Sequence, residues 1–70
     1  MQIKVNAIQN LIDERFRGKL SYFVAELNVD YSYMNQIMNK RKPATSKKVC
    51  EKVIKYCKEN NLDYNQYIFF

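Results

Sequence analysis

The chain has no histidine, one glycine, one proline, two cysteines and no apolar stretch long enough to span a bilayer. Each scarcity removes a class of protein. Without histidine or a second pair of cysteines, a zinc site has too few ligands, so no metal is expected. Cys50 and Cys57 stand seven residues apart in a predicted helix. That spacing puts them on one face but about 10 Å apart along the axis, too far for a disulfide, and they read as reduced core thiols. A single glycine and a single proline leave little material for tight hairpins, which argues against a sheet-rich fold. There is no glycine-rich phosphate loop, no Ser or Cys beside a plausible base and no spaced carboxylate pair. Asp13 and Glu14 are adjacent and point in different directions on a helix. The expectation is therefore a protein that is not an enzyme and carries no cofactor. No membrane span and no signal-peptide pattern predict a cytoplasmic protein. Repeats, low-complexity segments and linkers are also missing, so residues 1–70 are read as one domain.

What remains is enough for a compact core. Seventy residues lie near the lower limit for a fold without a disulfide or metal staple, but 47% are hydrophobic and 14% aromatic. Twelve Lys and Arg against seven Asp and Glu give a formal net charge of +5. That balance suits nucleic acid or another anionic surface.

Periodicity predicts five helices, or four plus a helical turn, near residues 7–16, 20–27, 31–39, 46–60 and 63–67, with no sheet beyond terminal pairing. Met1 to Val5 alternates polar and apolar and reads as extended or as a helical lead-in. Asn6 is the expected N-cap of the first helix, and Gly18 its C-cap. Leu11, Ile12, Val24, Leu27, Met34, Ile37, Val53 and Ile54 are the expected core. Lys47, Lys48, Lys52, Lys55 and Lys58 are placed mostly outward on the fourth helix. At the chain's end, Tyr67, Ile68, Phe69 and Phe70 either close the core or form a self-association surface.

The most informative stretch is LSYFVAELNVDYSYMNQIMNKRKP, from Leu20 to Pro43. Leu20, Phe23, Val24 and Leu27 share one helical face. Asn28 can take the left-handed conformation that stops a helix, Val29 is an apolar plug, and Asp30 or Ser32 can cap a second helix. That second helix buries Met34, Ile37 and Met38 and turns Tyr31, Ser32, Asn35, Gln36 and Asn39 outward. Between Lys40 and Lys48 come five basic residues and no acid. Amides can pair with base edges in the major groove while Lys and Arg hold flanking phosphates. Lys40, Arg41, Lys42, Lys47 and Lys48 are the candidate phosphate contacts. Arg15, Arg17 and Lys19 are either further contacts or solvated charges at a helix end, and Lys19 is retained as a candidate.

This stretch resembles the helix-turn-helix of the Cro/C1-type (lambda-repressor-like) DNA-binding family of phages and bacteria. The resemblance rests on Leu27, Asn28 and Val29 at the turn and on Asn39-Lys40-Arg41-Lys42-Pro43, similar to the family's Asn-Gly-Lys-Arg-x-Pro exit. It implies an all-α bundle of four to five short helices with the motif at about 20–39. Two departures stand out: Val24 replaces a small Ala, which would widen the helix crossing, and Lys40 replaces Gly, which would alter the chain exit. The implied function is a phage-type transcription regulator in a lysogeny switch, binding double-stranded operator DNA as a homodimer. The chain is also similar to modulator-of-repression proteins of temperate phages. That likeness implies an alternative, an anti-repressor that sequesters the cognate phage repressor through Tyr31, Tyr33, Tyr67, Phe69 and Phe70.

Overall fold

The computed structural model describes residues 1–70 as a mostly helical small domain with four helices and a short two-stranded sheet. The order is β1 (Gln2–Ile3), α1 (Val5–Arg15), α2 (Leu20–Leu27), α3 (Tyr31–Met38), α4 (Lys47–Glu59), a 3-10 turn (Tyr64–Gln66) and β2 (Ile68–Phe69). β1 and β2 pair antiparallel, Gln2 against Phe69 and Ile3 against Ile68. No helix is long and apolar enough to cross a membrane.

The apolar stripes of the four helices converge on one core: Ile8, Leu11 and Ile12 from α1, Phe23, Val24 and Leu27 from α2, Met34 and Ile37 from α3, and Val49, Cys50, Val53, Tyr56 and Cys57 from α4. Ile3 and Ile68 close it from the sheet. Within the core, Phe23 meets Phe16 edge-on at 5.3 Å between ring centroids and Tyr56 at 6.3 Å. Such tilted pairs add to the area they bury.

Several expectations are corrected by tertiary contacts. α1 starts at Val5, not Ala7, and its N-cap is Lys4 rather than Asn6. The Lys4 backbone N–H donates to Tyr67 O and its amine to Asn65 O, so strand pairing sets the helix start where no side chain caps it. Ile54, expected in the core, is only half-buried, while Tyr56, on the opposite flank of α4, is buried against Phe16 and Phe23. Lys52, expected outward, is half-buried and donates to Asn28 O at 3.0 Å. Met38 is likewise half-buried. At the chain's end Ile68 closes the core, whereas Phe69 and Phe70 stay exposed.

The helix ends show how a chain with one glycine stops four helices. Arg17, Asn28, Lys40 and Asn61 all take left-handed backbone conformations, with φ of 56°, 56°, 61° and 57°. After α3, Lys40 N–H donates to Ile37 O and Arg41 N–H to Gln36 O, the paired bonds of a Schellman end. Asn28 and Val29 close α2 the same way, on Ala25 O and Val24 O. Gly18, also left-handed, follows Arg17 rather than capping α1, whose C-cap is Phe16. Lys40 therefore adopts the conformation that glycine takes freely, and the lysine side chain does not divert the exit. A non-glycine residue in this conformation costs about 1–2 kcal/mol. Lys40→Gly is expected to raise stability by about 0.5–1 kcal/mol after the entropy of the unfolded chain is counted. In a domain of this size that appears as a rise of roughly 2–8 °C in thermal midpoint. A fall in midpoint would show that the lysine side chain contributes more than its backbone costs.

Candidate nucleic-acid interface

α2 and α3 are joined by Asn28, Val29 and Asp30. Asn28 reverses the chain, and half-buried Val29 packs on the core. The Asp30 carboxylate accepts from Tyr33 N–H at 2.8 Å, capping α3. Ser32, the alternative cap, is left exposed. Lys52 then ties this elbow to α4 through the carbonyls of Leu27 and Asn28. Those carbonyls are the unsatisfied end of α2, so a cation there meets both their hydrogen-bonding capacity and the helix dipole. Sequence reading missed this role, because nothing local pairs Lys52 with a turn more than twenty residues earlier.

With Met34 and Ile37 buried, the outer side of α3 carries Ser32, Asn35, Gln36 and Asn39. Ser32 and Asn39 are exposed; Asn35 and Gln36 are half-buried rather than fully outward. At about 100° per residue these four form a continuous uncharged strip, with the two tyrosines on its flanks. Tyr31 is exposed on one flank. Tyr33, expected as an exposed ring, is half-buried on the other, packed on the core with the Lys42 amine 4.8 Å from its ring centroid.

Basic groups stand on both sides of the strip. On the Tyr31 side, an open groove of about 380 Å³ brings Lys19 and Ser21 from the start of α2 together with Tyr31, Asn35 and Asn39. Just past α3, the Arg41 and Lys42 N–H groups both donate to Gln36 O, folding the Lys40–Lys42 loop against the helix end, and the Lys42 amine lies on the strip's Tyr33 flank. Lys40, Arg41 and Lys42 are exposed. Lys47 and Lys48 are exposed at the start of α4, where the Ser46 hydroxyl caps Val49 N–H. Lys48 borders a separate cleft with Asp30, Tyr33 and Lys52, and so stands nearer the elbow than the strip.

The remaining candidates lie elsewhere. Tyr67 is half-buried against the core, which removes it from an exposed interface. Phe69 sits under the Lys4 amine at 4.6 Å, and Phe70 packs edge-on against Tyr64 at 5.7 Å. Neither touches the α3 strip. No three His, Cys, Asp or Glu side chains come together as a metal site. Burial pushes the Cys50 and Cys57 thiols above their ordinary pKa, which keeps them protonated and poor as nucleophiles.

Compared with known proteins, the chain matches no family model, no curated protein and no solved structure. Its function rests on its own geometry.

Proposed function

We propose that α2 and α3 form a helix-turn-helix of the Cro/C1 type, and that the protein is a phage-type transcription regulator that binds operator DNA through α3. The observation that carries this reading is the uncharged Ser32–Asn35–Gln36–Asn39 strip with cations on both sides. An α-helix fits the major groove, where amides discriminate base edges, and the flanking cations supply sequence-independent attraction to phosphates. A strip of carboxylates would repel the duplex, and a strip of lysines would bind without reading it. Lys19 on one side and Lys42, beside Tyr33, on the other match a groove whose two walls are both phosphate.

A second reading, the anti-repressor, is favoured by one feature: Tyr31 is 49% exposed beside the strip. A ring left this open can anchor a protein interface. The two readings part on a pair of substitutions. Binding is measured to a duplex selected from a random pool, to unselected DNA and to the cognate repressor. Under the regulator reading, Gln36→Ala is expected to cost about 1–3 kcal/mol on the selected duplex and much less on unselected DNA. Under the anti-repressor reading, Tyr31→Ala is expected to cost about 2 kcal/mol or more on repressor. Selection that enriches no sequence, together with tight repressor binding through Tyr31, would overturn the regulator and leave the anti-repressor.

A further inference from the structure

Two of the amides on α3 are bonded to each other, and the bonding fixes which atom each one presents. The Asn39 side-chain amide donates to Asn35 O at 2.9 Å and to Asn35 Oδ1 at 3.1 Å. A backbone carbonyl can only accept, so the first bond fixes Asn39 with Nδ2 toward the helix and Oδ1 away from it. The second bond then fixes Asn35, whose Oδ1 must face the Asn39 donor and whose Nδ2 is turned elsewhere. Asn39 Nδ2 makes both bonds. What the pair leaves without a partner in the chain is one acceptor, Asn39 Oδ1, and one donor group, Asn35 Nδ2. Both residues border the groove that also holds Lys19, Ser21 and Tyr31.

We propose that Asn35 and Asn39 act as one reader of fixed polarity, with Asn39 Oδ1 accepting from a base amino group and Asn35 Nδ2 donating to a base acceptor. This rests on the reading of α3 as a major-groove helix. An unlocked asparagine that makes only one bond to a base can flip its amide to suit either a donor or an acceptor, and at that bond it discriminates weakly. A locked one cannot, and locking turns a tolerant side chain into a selective one. In the major groove only adenine N6 and cytosine N4 donate, so Asn39 selects a position carrying one of these. Guanine N7 and O6, adenine N7 and thymine O4 accept, and Asn35 selects among them. Neither bond to the bases is available if the pair is reversed, because Asn39 Nδ2 is already spent on Asn35.

The arrangement is asymmetric. Asn39 is anchored on the Asn35 backbone, which survives any change of the Asn35 side chain. Asn35 is oriented only by Asn39. Removing Asn35 therefore silences one base position, whereas removing Asn39 silences its own and unlocks the other.

The test is selection from a random duplex pool with the full chain and with Asn35→Ala and Asn39→Ala, followed by affinity measurements on single-position variants of the wild-type site. Thermal unfolding accompanies each variant, and both side chains lie outside the core, so folded protein is expected throughout. Asn35→Ala should lose discrimination at one base position, by about 10-fold there. Asn39→Ala should lose it at two, one of them the position lost in Asn35→Ala. Single losses at two different positions, or no loss in either variant, would show two independent side chains and overturn the locked pair while leaving the DNA-binding reading intact. Failure of wild-type protein to enrich any sequence would overturn both.

Discussion

Removing the three cations that come after α3 is expected to lower duplex affinity on the order of 100-fold or more at low salt and to reduce the salt dependence of binding by about three units. Each cation withdrawn from a phosphate means close to one counterion fewer released on binding, and the effect should be nearly the same on every sequence. The substitutions that isolate this effect are Lys40→Gly, Arg41→Ala and Lys42→Ala. Glycine suits the left-handed backbone at position 40. The Arg41 and Lys42 bonds to Gln36 O are made by the backbone, so alanine keeps the loop in place. The measurement is duplex affinity across a salt series, on selected and unselected sequences. A slope unchanged in the triple variant would mean that the loop faces away from DNA. The Lys42 amine lies over the Tyr33 ring, so its ammonium is already placed rather than free to wander. Of the three, Lys42→Ala is the single change expected to separate affinity from stability least cleanly, since it also removes a cation–π interaction.

The largest expected loss of stability comes from Phe23→Ala. Phe23 is fully buried between Phe16 and Tyr56, so the truncation deletes the centre of an aromatic cluster and leaves a cavity. Large-to-small changes of this kind cost about 3–5 kcal/mol. A single core in a chain this short supplies about that much in total. Chemical or thermal unfolding should find the variant largely unfolded at room temperature. A folded variant losing less than about 1 kcal/mol would show that the cluster is not what holds α2 against α4. Ile54→Ala is the contrast, expected to cost less than Phe23→Ala because the side chain is only half-buried.

That contrast marks one boundary of what the sequence can reveal. On α4, Ile54 and Tyr56 lie about 160° apart, on opposite flanks of the stripe centred on Val53, and hydrophobicity alone favours the isoleucine flank. The partners that reverse the choice are Phe16 at the end of α1 and Phe23 in α2. Their positions depend on how three helices meet. Tyr33 is a second case. Its place on α3 gives it a flank, and only the packing of that flank on the core removes it from the exposed face. Asn39 is a third, because the order of amides along a chain carries no information about which have already spent their hydrogens.

The sequence by itself determined the four helices, the burial of Met34 and Ile37 and the turn at Asn28, and it narrowed the cap of α3 to Asp30 or Ser32. These are set by bonds and spacings within about four residues, so the information is complete before the chain folds. The candidate strip on α3 was legible for the same reason: a buried stripe at helical spacing leaves a defined opposite side. The tertiary structure alone decided the start of α1, which waits on a strand from the far end of the chain, and the role of Lys52, which reaches back to the carbonyls of Leu27 and Asn28. It also decided which of Ile68, Phe69 and Phe70 enters the core. Those outcomes join residues distant in the chain, and their partners exist only once the helices have packed.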